Sequence, residues 1–342
     1  MAGLTSCAEQ AESHVPRTYR LTATCPAPPS HRPTVTADQL NRIVEQSDLP
    51  AWQAADIGAS ARLSDGRLVF VFDDTLRKDS DQPQLVPNSI LITSGECASQ
   101  LMTSEDGPVI PDASQQEVLW PISVAVLRDD PKVAAGTDVL VVPCAPGRSA
   151  GTAVEPRLHL PRHVGRRVRR DTGGVPTLED VYEVTPDSSD EHQIQWGQAT
   201  TVHGGVVLRV RNSREGQRAQ PRAVRRAGLV RRPPRNRSRW GFWSGHHWQP
   251  TPDHATPVIG ADPGVSQTRS VHFDDGHYVV TSKRGGDLGD FVYTWDSPEP
   301  TGPWTAQQAL EAPAGFDTGH YQYAPLADPE KGRPLFAEVT AP

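Results

Sequence analysis

Between Ala59 and Thr75 the chain reads ASARLSDGRLVFVFDDT, two runs of strand character joined by an Asp-Gly turn, and a hairpin of this kind restricts what the rest can fold into. Ala59 to Leu63 alternates small, polar and apolar residues, Asp65-Gly66 supplies a turn that needs positive φ, and Arg67 to Phe72 is rich in β-branched and aromatic residues. Carboxylates flank the open end: Asp56 before the first strand, Asp73 and Asp74 after the second. Because a hairpin brings its open ends together, Asp56 and Asp74 are candidates for paired acid/base work. The plainer reading is that aspartates cap strands and begin turns.

The unit recurs. Stretches of strand, turn and strand begin at Trp120, Ile194, Ser266 and Tyr321, roughly 55 to 75 residues apart, which leaves room for four strands and long loops in each. The unit at Ser266 copies the first most closely, with its own Asp-Gly turn. Five such units predict an all-β chain, a five-bladed β-propeller over residues 51–342, preceded by an N-terminal extension, 1–50, that carries a short helix. The chain's 33 prolines and 28 glycines suit such a loop-rich architecture better than a helical one. The helix is expected over Thr36 to Leu49: Thr36 and Gln39 form a capping box, Val35 and Leu40 a staple, Leu40, Ile43 and Val44 one apolar face, and Pro50 the stop. Trp240 to Trp248, WGFWSGHHW, reads as an outer hairpin turning at Ser244-Gly245. His246 and His247 are adjacent on it, so their side chains point to opposite faces and no metal site is expected there.

The chain has no run of eighteen apolar residues, so no membrane span is expected. Its first residues lack the basic and apolar stretches of a secretory leader. Leu4-Thr5-Ser6-Cys7 resembles the end of a bacterial lipoprotein signal without the hydrophobic stretch that should precede it, which leaves both a cell-envelope or secreted location and a cytoplasmic one open. Cys7, Cys25, Cys97 and Cys144 have no metal-type spacing and allow three disulfide pairings.

In a propeller the innermost strands line a central channel, and their ends with the connecting loops build a site on one face. The residues expected to converge there are Asp56, Asn88 with Ser89, Trp120, His192, Gln193 and Trp196, Gln267, and Tyr321 with Tyr323. Carboxylates, amides and indole faces together suit a sugar: acids for the glycosidic bond, hydrogen bonds for hydroxyls, flat surfaces for ring C–H faces. Packing between blades would account equally well for any single aromatic residue among them.

The run DIGASARLSDGRLVFVFDDT, Asn88-Ser89, the start of the Trp120-Pro121 strand, FWSGHHW, and SVHFDDGHYVVTSK leading to SPEPTGPW together resemble the bacterial domain-of-unknown-function family numbered 4185. That family overlaps glycoside hydrolase family 183, endo-D-arabinanases of mycobacterial-type cell walls. The resemblance covers about residues 52 to 340. It implies a glycoside hydrolase that cleaves arabinofuranosidic linkages in a cell-wall polysaccharide with two carboxylates and no cofactor, acting as a monomer. Asp56 and Asp74 match the catalytic pair, Asp74 as acid and Asp56 as base. The family usually has glycine where Asp73 stands, and a further like charge so close should raise one pKa. A carbohydrate-binding propeller without catalysis is the alternative.

Two stretches, 145–170 and 205–239, differ from the rest. Neither holds an aromatic residue, an isoleucine or a lysine, and together they carry 19 of the 30 arginines. Composition of this kind is what a GC-rich gene yields when translated out of frame; a nucleic-acid-binding insertion would commonly mix in lysine and stacking aromatics. On that reading inner or middle strands of blades two and three should be lost, leaving unpaired edges. The net charge of −7 rests on those arginines, so the remaining body is far more acidic, which argues against a nucleic-acid partner.

Overall fold

The computed structural model describes residues 18–28, 36–78, 83–112, 114, 117–127, 137–148, 163–170, 174–185, 195–203, 206–212, 230–231, 240–260, 264–286, 289, 291–311, 321–327 and 334–339. The chain begins with β1 (Tyr19–Leu21) and α1 (Ala37–Gln46), followed by β2 (Ala54–Ala55), β3 (Ala59–Arg62), β4 (Leu68–Phe72), β5 (Thr75–Leu76), β6 (Leu85–Val86), β7 (Ser89–Thr93) and β8 (Ala98–Thr103). The first large sheet runs β1-β8-β7-β4-β3, antiparallel between neighbours, and β2, β5 and β6 form a small sheet beyond its end. A second sheet contains β9 (Glu117–Pro121), β10 (Ala125–Leu127), β11 (Asp138–Arg148), β12 (His163–Arg170) and β13 (Thr177–Thr185), with β9 and β10 pairing successive parts of β11. Then come β14 (Gln195–His203) with β15 (Val206–Asn212), and β16 (Val230–Arg231) with β17 (Gly241–Trp243) and β18 (Trp248–Gln249). The sheet of β19 (Val265–Asp274), β20 (His277–Arg284), β21 (Phe291–Ser297) and β22 (Thr305–Glu311) is a four-stranded meander, and β23 (Tyr321–Ala327) pairs β24 (Pro334–Val339).

The first strands of successive sheets lie side by side: β10 touches β3 and β14, β14 touches β19, and β19 touches β23. Ser60 of β3, Ser123 before β10, Thr200 of β14, Ser270 of β19 and Leu326 of β23 line one shared cavity. Antiparallel sheets set radially around a common axis, each contributing its first strand, make a β-propeller. Core packing follows the same plan. Ile57, Val69 and Val71 of the first sheet pack with Leu119, Leu140 and Val142 of the second, and Ala199 of β14 packs with Val271, Val280 and Trp295 of the fourth unit.

Local expectations hold where the turn chemistry is strong. Gly66 takes φ 89°, and the tip is closed by Leu63 N–H to Arg67 O at 2.8 Å and by Arg67 N–H to Asp65 Oδ1 at 3.2 Å. Asp275 and Gly276 both take positive φ between β19 and β20, the conformation that a two-residue hairpin turn requires. The Trp240–Trp248 hairpin is present as β17 and β18, with Ser244 N–H bonded to His247 O.

Three features differ from the expectation. The helix is shorter: the Thr36–Gln39 capping box is formed, but α1 ends at Gln46, three residues before Leu49, where the Ser47 hydroxyl donates to Ile43 O at 2.6 Å and Ser47 itself is extended. The residues before 51 also pack closely on the first sheet, since β1 pairs β8 and Leu40, Ile43 and Leu49 bury against Leu68 and Leu91. The arginine-rich stretches, finally, carry strands. β12 is paired on both sides, by β11 and β13, while β15 pairs β14 and β16 pairs β17. Among the described residues β12 thus has no open edge, whereas β15 is paired along one side only, and 149–162, 213–229 and 232–239 lie outside the described residues. HVGRRVRR and VVLRVRN are rich in arginine and valine, and a ladder of backbone hydrogen bonds forms on them because it needs only the main chain.

Of the three disulfide pairings left open, the one that joins Cys25 to Cys97 is formed; Cys144 is buried, and Cys7 lies outside the described residues. The bridge ties the stretch after β1 to the β7–β8 turn across 72 residues of sequence. Cys97→Ser should lower unfolding stability by about 2–4 kcal/mol, the usual worth of a disulfide. Urea denaturation of the variant beside the non-reduced wild type reads this directly, and equal midpoints would mean the bridge does not constrain the unfolded chain.

Candidate active site

The β3–β4 ladder pairs Ala59 with Val71, and the β2–β5 ladder pairs Ala55 with Thr75. The two ladders are in step, so Asp56 falls opposite Asp74 in the gap between them. Backbone bonds close that gap: Asp56 N–H donates to Asp74 O at 2.9 Å, and Asp73 N–H donates to Asp56 O at 3.1 Å. Side chains directly opposite on antiparallel strands have Cβ atoms about 5 Å apart, so the two carboxyl groups start as near neighbours, an arrangement that costs energy for like charges. Ile57 beside Asp56 has φ 48°, a left-handed conformation unusual for a β-branched residue, and is 8% exposed in the core between the first two sheets. Strain and like charge meet at the same three residues.

A second sheet completes the site. Trp120, at the start of the second sheet in β9, donates its indole N–H to Asp74 Oδ1 at 2.9 Å. Its ring is held flat against Gly147 of β11, where a Cβ would come within 2.4 Å of Trp120 Cζ2. Glycine is required there so that the strand can approach the indole.

The three carboxylates differ in environment. Asp73 is 8% exposed, its Oδ1 is buried without a hydrogen-bond partner, and burial, reinforced by the charges of Asp56 and Asp74, pushes its pKa up to about 8. Asp74 is half-buried; burial raises its pKa, the Trp120 hydrogen bond pulls it down, and Asp56 raises it again. Asp56 is half-buried. The extra charge at position 73 was expected to lift the pKa of one group, and the strongest lift falls on Asp73 itself.

The other expected site residues are more scattered. Asn88 is 1% exposed and its amide is committed to the backbone: Nδ2 donates to Ile110 O and Leu119 O, both at 2.9 Å, and Oδ1 accepts from Ile110 N–H at 2.7 Å. It fastens the first sheet to the approach of the second. Trp196 is 1% exposed, packed edge-on against Phe242 with centroids 4.9 Å apart, in a cluster with Trp240. The Asn88 amide is thus taken up by backbone partners, and Trp196 by aromatic packing. His192 and Gln193 lie outside the described residues, and Gln267 and Tyr321 are placed by backbone alone, Gln267 at an irregularity in the β19–β20 ladder and Tyr321 opposite Val339.

Residues that sequence reading passed over line the axis instead. Ser60, Ser123, Thr200, Arg269, Ser270 and His272 surround a cavity of about 50 Å³, enough for one or two water molecules and too small for a sugar ring. His272 has both ring nitrogens buried without hydrogen-bond partners, and burial lowers its pKa against the opposing pull of Asp274 and Asp296. The available signal was a set of polar residues inside the strand TRSVHFD, whose alternation places them on an inner strand. Among the described residues no three His, Cys, Asp or Glu side chains are arranged to hold a metal ion, and no helix is long and apolar enough to cross a membrane.

Comparison with known proteins agrees on the fold. The family described as Domain of unknown function (DUF5005) matches residues 224–327, a span that runs from the second arginine-rich stretch through β23 and leaves out Asp56, Asp74 and Trp120. A crystal structure of a candidate hydrolase from Bacteroides ovatus ATCC 8483 shares 12% identity at a TM-score of 0.55, covering 86% of this chain and 80% of that one, and so has the same fold. Looser likenesses are a GH43_1 enzyme from Xanthomonas citri (15% identity, TM-score 0.41, 86% of each chain) and the full-length beta-fructofuranosidase of Microbacterium saccharophilum K-1 (13%, 0.45, 77% of this chain and 60% of that one). No curated protein matches the chain.

Trp120→Phe keeps an aromatic ring against Gly147 and removes the donor to Asp74. The Asp74 carboxyl should then titrate at higher pH than in the wild type, because the bond favours its ionised form. Carboxyl ¹³C shifts followed through a pH titration measure this, and an unchanged midpoint would show the indole bond to be electrostatically idle.

Proposed function

We propose that this propeller is a glycoside hydrolase, with Asp56 and Asp74 as its catalytic carboxylates. The observation that carries the reading is the cross-strand placement of these two acids, with an indole from the next sheet hydrogen-bonded to one of them. Five first strands around the axis support a five-bladed count. Asp74, whose pKa is raised, is suited to hold a proton and give it to the leaving glycosidic oxygen. Asp56, opposite it, would serve as base towards water or attack the anomeric carbon. The half-buried face of Trp120 beside Asp74 is suited to a sugar ring, which is where the flat C–H surface would lie.

The resemblance of the hairpin, of FWSGHHW and of SPEPTGPW to the family numbered 4185 and to glycoside hydrolase family 183 narrows the substrate to an arabinofuranosidic cell-wall polysaccharide. The Bacteroides ovatus protein, described as a candidate hydrolase, has a compatible fold and supports the reaction type without the substrate. The Cys25–Cys97 bridge favours an oxidising location, where such a polysaccharide is found.

Incubation with mycobacterial arabinogalactan should release arabino-oligosaccharides. Asp56→Asn and Asp74→Asn should each lower that release by about 10²–10⁴-fold, the usual worth of a positioned acid or base, with thermal unfolding nearly unchanged. Product chromatography together with melting curves reads both, and full activity in both variants would remove the assignment.

A further inference from the structure

The third carboxyl has no part in the reaction just described, yet the fold buries it beside the two that do. Along β4, Val69 and Val71 are fully buried, and the period of two continues to Asp73, which is 8% exposed. An acid thus occupies a position that the strand pattern reserves for apolar side chains. Its backbone N–H is bonded to Asp56 O, its backbone O accepts from the Thr75 hydroxyl at 2.9 Å, and its Oδ1 is buried without a partner. Among the described residues, the charges acting on it are those of Asp56, across the gap, and Asp74, the next residue. The other polar neighbours are neutral: Ser89, bonded to Thr75, and Trp120, bonded to Asp74. The Arg77 guanidinium, two residues beyond Thr75, reaches towards Gly107 O.

We propose that Asp73 is a positioning residue of this site: as a neutral acid it lets the two arms close and set Asp56 opposite Asp74, and when ionised it forces them apart. The inference rests on the reading of Asp56 and Asp74 as the catalytic pair. The physical reason is that burial of the carboxylate, with Oδ1 unpartnered, outweighs the stabilisation it receives from the backbone N–H groups of Asp73 and Asp74. Placing it beside two further carboxylates in the same gap adds repulsion that separating the strands relieves. The burial that raises the proton affinity of Asp73 to about 8 puts this change on the alkaline side of neutrality.

The sign for stability follows from proton counting. Between the unfolded value of 3.8 and about 8, the folded chain holds a proton at Asp73 that the unfolded chain has lost. Stability attributable to this group therefore falls as pH rises through that window and levels off above it. Asp73→Asn, neutral at every pH, is free of this loss.

The test uses two measurements on wild type, Asp73→Asn and Asp73→Ser. In thermal unfolding, the melting temperature of each variant minus that of wild type should rise between pH 4 and pH 8 and then level off. In hydrolysis of arabinogalactan, both variants should keep neutral-pH rates within about threefold of wild type. Above pH 8 the wild-type rate should fall more steeply than the variant rates, by about a further tenfold per pH unit, since Asp73 loses its proton there and the variants have none to lose at that position. A melting difference that does not change with pH overturns the proposal, as does the same alkaline slope in all three proteins. Loss of activity in both variants at every pH with melting preserved also overturns it, by making Asp73 catalytic. None of these results bears on whether Asp56 and Asp74 do the chemistry, which the variants at those positions decide separately.

Discussion

Two backbone hydrogen bonds at the open end of one hairpin hold the candidate site together. Asp56 N–H to Asp74 O and Asp73 N–H to Asp56 O bridge the short gap between the β3–β4 and β2–β5 ladders. Without them the acids on the two arms would be independent loop residues, and mutual repulsion would keep them apart. With them, three carboxyl groups share a space walled by the core of two sheets. The raised proton affinities of Asp73 and Asp74 follow from that enclosure more than from neighbouring charge, since desolvation leads the causes for both.

The surrounding structure holds this gap in place from several sides. Ile57, in a left-handed conformation, is buried among side chains from both the first and second sheets, so packing carries the backbone strain next to Asp56. Asn88 fastens the strand leading into β7 to the carbonyls of Ile110 and Leu119, one residue from Trp120. Its role is therefore to place the indole relative to Asp74, an indirect service to the site. The cavity between the inner strands is lined by other residues, Ser60, Thr200, Arg269 and His272 among them, and does not include Asp74 or Trp120.

The arginine-rich stretches show how little strand pairing asks of composition. A strand such as β12 needs backbone partners on each side, and HVGRRVRR has them although its sequence shows no alternation of apolar and polar residues. Composition was a good guide to the abnormality of these segments and a poor guide to whether they could pair. Neighbouring strands of ordinary composition, β11 and β13, supply the ladder.

Several features were legible in the residues alone, because they depend on contacts a few positions apart: the Asp-Gly turns, the capping box of α1, the hairpin at WGFWSGHHW, the repeated strand-turn-strand unit and the nearness of Asp56 to Asp74. The burial of Asp73 was not foreseen, although the alternation along LVFVFDD carries it. Other features depend on segments that meet only when the sheets close around the axis. The choice of Cys97 for Cys25, the bond from Trp120 to Asp74, the burial of Trp196 against Phe242 and the arrival of Arg269 and His272 at the cavity all join residues from different strands or sheets. Turn geometry and strand period are written into neighbouring residues, whereas which side chain faces which across a ring is set by how the blades pack.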